Sequence, residues 1–131
     1  YSHNETVLHQ DLTLLPRARR ARASWNYVVA PTGRSGPAVV TYWMNKLQGL
    51  DEGTALLVTL NATDRVAADR ILATMDYTHP IYDPTSVAAQ RRLPEINSAT
   101  TAYAGAYHGW GFHEDGCRAG VAAAGSFGAT W

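Results

Sequence analysis

Short runs of alternating apolar and polar residues fill the first half of the chain, and this pattern is typical of strands. The runs flanking the turn sequence PTGRSGP at residues 31–37 are expected to form a hairpin. The later run ALLVTLN is apolar enough to lie at the centre of a sheet. In chain order, the predicted strands are Glu5–His9, Arg22–Ala30, Ala38–Met44 and Ala55–Asn61.

The pattern becomes mixed in the second half of the chain. Segments 11–22 and 45–54 are predicted connections, while residues 70–77 are ambiguous between helix and strand. We favour a strand for the second part of that segment because a His-Pro bond follows it. Asp83 and Pro84 suit a helix start, since Asp can cap and Pro fits the first turn. The remaining predicted elements are a helix over Ser86–Leu93, a strand over Thr100–Ala106 and a helix over His113–Ser126.

Together these elements predict an α+β fold. A mostly antiparallel sheet is followed by one helix and then by a strand–turn–helix unit. This last unit does not belong to the same layer, so we expect it to close a different domain. The chain of 131 residues is long enough to bury a real core.

Composition and charge exclude several classes of protein. Eleven basic and eleven acidic residues cancel, so the chain lacks the electrostatic footprint of a nucleic-acid binder. The local exception is Arg17, Arg19, Arg20 and Arg22, which we interpret as a solvated or salt-bridged turn, with phosphate binding as the alternative. No run of about 18 apolar residues exists, so the sequence predicts no membrane span.

The cysteine count bears on the compartment. Cys117 is the single cysteine, which excludes an intramolecular disulfide and fits a reducing compartment. We recognise no signal peptide and no lipidation motif in the sequence. A cytoplasmic protein is therefore expected.

The last thirty residues carry the most specific pattern in the chain. The apolar run Ala102–Ala106 meets a turn with Gly109 and Gly111, and a helix of small residues follows. A strand, a glycine turn and a helix N-terminus together bring backbone N–H groups to a cofactor. GFHEDGCRAG, at residues 111–120, resembles the closing flavin-contact motif of flavin-containing amine oxidases. It is more similar still to the bacterial predicted FAD-binding oxidoreductases related to them.

The resemblance covers essentially the whole chain in order. NETVLHQDLTLLP, ASWNY, VTYWMNKLQGL, LLVTLN and THPIYDPTSVAAQRRLPEIN all look like the C-terminal third of those flavoproteins. A two-domain parent is implied, with residues 1–98 in a substrate-binding domain and 99–131 returning to a Rossmann-like FAD domain as its last strand and helix. The opening at Tyr1 without an initiator methionine also reads like a fragment, whose last strand and helix would expose an apolar patch.

The same resemblance assigns cofactor contacts. Ala106 replaces the family's acidic residue at the end of the strand, so that contact is absent or made by backbone. Phe112 takes the place of an aromatic residue that flanks the substrate in front of the flavin. His113 and Glu114 fall at the helix start, where the dipole stabilises negative charge on the flavin. The implied cofactor-binding residues are Gly105, Ala106, Gly111, Phe112, His113, Glu114 and Gly116.

A substrate cavity is implied beside these contacts. Trp110 and Phe112 would line it from the turn, and Tyr42 from an aromatic group on two adjacent strands that also holds Trp25. Ordinary core packing is the alternative role for that aromatic group. No catalytic residue is assigned.

The dinucleotide-binding fingerprint is missing. The sequence has no G-x-G-x-x-G turn after a first strand, so the chain alone is expected to hold at most the flavin-ring end of FAD. The leading hypothesis is a C-terminal fragment of an FAD-dependent oxidase or dehydrogenase, inactive alone. Its partners would be the remainder of the flavoprotein or a second copy, and a small apolar or amine substrate. The alternative is a non-catalytic α+β binding or assembly module.

A metal site is the weaker alternative. His108, His113, Glu114 and Asp115 lie within eight residues, and imidazole with carboxylate suits zinc or iron. The spacing is not a standard ligand pattern, and His113 and Glu114 would diverge on a helix. The sequence therefore predicts no metal centre.

Overall fold

The alternating strands of the first part of the chain pair into one antiparallel sheet. The computed structural model describes residues 1–29, 36–51 and 53–130. Every neighbouring pair in the sheet is antiparallel, and with the helices this makes an α+β fold. In sheet order the five strands are β2 (Trp25–Val28), β3 (Val39–Trp43), β4 (Leu57–Leu60), β1 (Ser2–His9) and β5 (Ile71–His79).

The described residues also form three α-helices and six short 3₁₀ turns. The helices are α1 (Met44–Gln48), α2 (Pro84–Gln90) and α3 (His113–Gly125). The 3₁₀ turns are Leu12–Leu14, Arg19–Ala21, Thr63–Arg65, Ala68–Arg70, Leu93–Ile96 and Ala106–His108.

The chain forms two compact units. Ser2–His79 makes the sheet unit, and Pro80–Trp131 together with Tyr1 makes the helical unit. The predicted division at residue 98 concerns the domains of a longer parent protein, and it stays a prediction. None of the described helices is long and apolar enough to cross a bilayer.

The strand predictions for the sheet unit are confirmed with adjusted bounds. β2 and β3 form the expected hairpin, with Trp25 opposite Tyr42, while residues 31–35 of its predicted turn lie outside the described residues. β4 occupies the centre of the sheet, as its apolar run predicted. β5 takes up the ambiguous segment from Ile71 onwards because β1 offers it partner residues along its length.

Two of the predicted elements are wrong. Segment 45–54 is not wholly a loop, since α1 covers its start and ends at Gln48. The next residue, Gly49, caps the helix with a left-handed φ of 64°. Thr100–Ala106 forms no strand, and Ala106 instead begins a 3₁₀ turn. A strand requires a neighbour to satisfy its backbone, and the described part of the helical unit contains no other strand.

The two predicted helices of the helical unit are confirmed with adjusted bounds, since α2 ends at Gln90 and Leu93 lies in the next 3₁₀ turn. α2 begins as expected: Asp83 Oδ1 accepts the Ser86 N–H at 2.7 Å, and Ser86 Oγ accepts the Asp83 N–H at 2.9 Å. This reciprocal pair satisfies two backbone donors at the helix start. α3 begins at His113, one residue after Phe112, as the sequence predicted.

One face of the sheet carries the core. Val7 on β1 packs with Leu14 and Val66 from the 3₁₀ segments, and Ile71 closes the cluster from β5. Leu57 on β4 is fully buried as well. The short connections therefore do more than join strands, because their apolar residues cover this face.

A buried polar chain crosses the same face. His9 is fully buried, and its Nδ1 accepts the Asp11 N–H at 3.1 Å. The proton is therefore on Nε2, which donates to Thr59 Oγ1 at 2.8 Å, and Thr59 Oγ1 lies 2.8 Å from Thr41 Oγ1. Only the neutral imidazole satisfies both ring nitrogens in this arrangement.

This arrangement predicts a loss of stability in mild acid. Burial lowers the pKa of His9 below its ordinary value of 6.5, against a smaller opposing effect of the Asp11 carboxylate. The unfolded chain therefore binds the proton first, and the free energy of unfolding should fall as the pH drops below about 6.5. Urea unfolding at about pH 7 and about pH 5 measures the loss.

The control for this prediction is His9→Gln, which cannot titrate. The pKa of the Asp11 carboxyl is itself lowered, since hydrogen bonds from Thr13 and Ala67 outweigh the effect of burial, so Asp11 contributes only at more acidic pH. The variant should be less stable but should lose its pH dependence between pH 7 and 5. An unchanged slope in His9→Gln would assign the effect to other groups.

Candidate functional site

The glycine-rich turn before α3 is organised around the carbonyl of Ala106. The oxygen accepts the N–H groups of Gly109 and Gly111, both at 3.1 Å. Gly111 has a φ of 89°, which L side chains rarely adopt, so glycine is required at this point of the turn. Two predicted contact residues, Ala106 and Gly111, are thereby joined directly.

Gly116 lies on the opposite side of the same small cluster. A Cβ built on Gly116 would stand 3.8 Å from Ala106 N and 3.9 Å from Ala106 Cβ, which is ordinary van der Waals contact. Glycine is therefore not needed at this position by the described protein atoms. Because Gly116 has no side chain, a gap about the size of a methyl group remains beside Ala106 at the start of α3.

Asp115 holds the turn against the helix. Its buried carboxylate accepts the Trp110 N–H at 3.0 Å and the Phe112 N–H at 3.1 Å, and it pairs with the Arg118 guanidinium. The Phe112 N–H is the main cause that lowers the pKa of this carboxyl, with Trp110 and Arg118 adding to it. Asp115 is therefore a structural anion at the third helical position rather than a free ligand.

The start of α3 remains open on its outer side. His113 and Glu114 are exposed and occupy the first two helical positions, whose N–H groups have no acceptor within a helix. Phe112 and Trp110 flank this end, with 70% and 65% of their surfaces exposed. The result is a bare helix N-terminus between two exposed aromatic rings.

A cleft of about 430 Å³ adjoins the turn. His108 contributes a buried Nε2 that has no hydrogen-bond partner among the described residues. The cleft is lined by Gln90, His108, Gly109, Trp110, Asp115, Arg118, Ala119 and Ala122. Its polar side chains come from α2, from the 3₁₀ turn Ala106–His108 and from α3.

Sequence reasoning missed two residues that support the turn. Gln90 Nε2 donates to the carbonyls of Tyr107 and Gly109 at 3.0 and 2.6 Å. The Tyr82 ring lies 6.3 Å from that of Trp110, centroid to centroid. Neither contact has a local sequence signal, because Gln90 is 17 and 19 residues from its partners and Tyr82 is farther still from Trp110.

The structure divides the predicted substrate-cavity residues between the two units. Trp110 and Phe112 belong to the helical unit, whereas Tyr42 belongs to the sheet unit, half-buried on β3. Strand pairing places Tyr42 on the same sheet face as Trp25. This face is opposite to the core and carries exposed aromatic surface.

Large apolar side chains are exposed in the last segment, as they also are elsewhere in the described residues. They are large and come from the turn, the preceding segment and the final helix. The exposed residues are Tyr103, Trp110, Phe112, Val121 and Phe127. Apolar groups of this size are the kind that an interface covers.

The arginine cluster and the metal hypothesis gain no support from the geometry. Arg17, Arg19, Arg20 and Arg22 form no ion pair with any residue that the structure describes, which favours a solvated cluster over a salt-bridged one. Within the described ranges, no three His, Cys, Asp or Glu side chains are grouped as metal ligands would be.

Comparison with known proteins does not identify the chain. No protein-family model matches the sequence, and a search of curated proteins finds no match. The resemblance to flavin-containing amine oxidases therefore stays a prediction that rests on residues 111–120 and on the order of the other segments.

Proposed function

We propose that this chain is the C-terminal part of an FAD-dependent oxidoreductase that resembles the amine oxidases. It would contribute contacts to the flavin ring and part of the substrate cavity. The observation that carries the proposal is the open N-terminus of α3, on which the family-like sequence GFHEDGCRAG falls. In this sequence the glycine, the aromatic residue and the helix start occupy the positions that the resemblance requires.

The residues at the start of α3 fit the ring end of a flavin. The free N–H groups of His113 and Glu114 and the helix dipole favour a partly negative oxygen or nitrogen. Gly116 carries no side chain, so the backbone in the first turns of α3 would be able to approach a flat ring closely. Phe112 offers an apolar wall beside it.

The adenosine end of the cofactor does not fit this chain. The sequence contains no G-x-G-x-x-G turn, so that part would have to be held by residues outside these 131. Bound FAD would serve as the acceptor of a hydride from a C–H bond next to nitrogen or carbon. Residues of this chain would orient the ring, stabilise its negative charge and exclude water with Trp110 and Phe112.

The substrate cavity is proposed beside Trp110 and Phe112. The side chains of these two residues carry no charge, which suits a small apolar or amine substrate. A cytoplasmic location of the intact protein is part of the same proposal.

Flavin titration tests the proposal directly. We expect lumiflavin and FAD to quench intrinsic tryptophan fluorescence with similar dissociation constants on the order of 1 mM, since only the ring end has a site. ADP should neither bind nor compete. Tighter binding of ADP than of lumiflavin would contradict the assignment, as would no binding of lumiflavin.

The Gly116→Ala variant separates cofactor contact from stability. Alanine has room at this position and favours the helix, so the free energy of unfolding should rise by about 0.5–1 kcal/mol. The added methyl should weaken lumiflavin binding several-fold, because it fills the gap beside Ala106 at the proposed site. Gly125→Ala, near the other end of α3, is the control and should leave lumiflavin binding unchanged. Equal affinities in all three proteins would remove Gly116 from the proposed site.

A non-catalytic assembly module is the second candidate function. The long open edge of β5 is the observation that favours it. Mass spectrometry of the protein from its natural source distinguishes the two candidates. Released FAD supports the oxidoreductase, whereas a colourless protein with no flavin supports the module.

A further inference from the structure

β5 is the longest strand of the sheet and lies at its edge. Among the described strands it pairs with β1 alone, which leaves the backbone groups on its other side without a strand partner. Nine residues extend over about 30 Å. Edge strands of this length add a strand from another chain unless the edge is shielded.

The sequence of β5 provides little shielding. Ile71–His79 contains no proline and no lysine, and its one carboxylate, Asp76, is 3.4 Å from His3 on β1. The irregularity of pairing with β1 affects only the end near Ile71. Leu72 is 51% exposed, so apolar surface accompanies the open backbone.

The strand is complementary to itself. Antiparallel pairing of all nine residues with a second β5 has one register, which places Met75 opposite Met75. In that register the small side chain of Ala73 faces the ring of Tyr77, and Thr74 faces Asp76. No two like charges are opposed, and the apolar side chain of Leu72 faces the smaller Thr78.

We propose that β5 pairs with β5 of a second copy of this chain about a two-fold axis at Met75. Met75, Ala73 and Tyr77 lie on one face of β5, so each opposed pair shares a face, as an antiparallel ladder requires. Two five-stranded sheets would thereby become one ten-stranded sheet. This inference is independent of the flavin assignment.

Disulfide cross-linking tests the register. In a Cys117→Ser background, Met75→Cys should form a covalent dimer on mild oxidation, because the two cysteines face each other on the axis. Ala73→Cys in the same background should stay monomeric, while a mixture of Ala73→Cys and Tyr77→Cys proteins should cross-link. Failure of Met75→Cys to cross-link, or equal cross-linking of Ala73→Cys alone, would overturn the proposal.

Sedimentation equilibrium tests the association without a cross-link. The natural sequence should dimerise, and Met75→Lys should raise the dimer dissociation constant at least about tenfold by opposing two like charges. Met75→Leu keeps the shape and should keep the dimer, and circular dichroism checks that both variants are folded. A wild-type chain that stays monomeric up to about 1 mM, the range of very weak association, would contradict the pairing.

Discussion

Replacing Leu57 by alanine is expected to lower the free energy of unfolding by about 3 kcal/mol, within the usual range of about 2–5 kcal/mol for buried leucines. Leu57 is 0% exposed and stands on the central strand, between Trp43 on β3 and His9 on β1. The deleted methyl groups leave a cavity that two flanking strands cannot close. Urea unfolding followed by circular dichroism measures the change.

Leu72→Ala is the matched control for this prediction. The same atoms are removed from β5, but Leu72 is about half exposed, and the expected loss is below about 1 kcal/mol. A similar loss in both variants would show that β4 is not the centre of the core. A negligible loss in Leu57→Ala would have the same meaning.

The central position of β4 was predictable because the signal lies in the apolar composition of its own residues. An apolar run without strict polar alternation is typical of a strand with both faces covered, and such a strand usually lies in the middle of a sheet. The capped start of α2 was equally readable, since Asp83 and Pro84 act within one helical turn. Gly49 signalled the end of α1, but the helix itself is only five residues long and leaves no periodic pattern.

The predicted strand over Thr100–Ala106 fails for a physical reason that sequence alone does not reveal. Its composition fits a strand, but a strand forms only beside another one. The last residue of the segment, Ala106, instead begins a 3₁₀ turn, and its carbonyl accepts the N–H groups of Gly109 and Gly111.

Part of the candidate site was predictable in the same way. Gly111 follows from the turn, because a positive φ requires glycine. Asp115 has a local signal as well, because an acidic residue at the third helical position commonly caps the helix start. The support from Gln90 and Tyr82 was not predictable, since it depends on how α2 packs beside the turn.

Gly109 provides the sharpest test of how this turn is held. A Cβ added at Gly109 would lie 2.9 Å from Asp115 Cβ, and closer still to its Cγ and Oδ1. The Asp115 carboxylate cannot move away cheaply, because it accepts the N–H groups of Trp110 and Phe112 and pairs with Arg118. The added Cβ would therefore clash with an Asp115 side chain that its hydrogen bonds hold in place.

Gly109→Ala is expected to destabilise the helical unit by about 1–3 kcal/mol, the usual effect of overpacking a filled site. The added methyl must displace Asp115, which frees the amides of Trp110 and Phe112 and loosens the start of α3. Amide hydrogen exchange should accelerate over the turn and the first helical turn, while the strands of the sheet unit keep their protection. Thermal unfolding by circular dichroism gives the accompanying stability change.

Gly116→Ala is the control, since it adds the same methyl group seven residues later, where the nearest atoms leave room. It should not accelerate exchange at Trp110 or Phe112. Unchanged exchange in Gly109→Ala would show that Asp115 does not hold the turn. In that event the proposed flavin contact would lose part of its structural basis, because the Asp115 carboxylate accepts the Phe112 N–H at the open helix N-terminus.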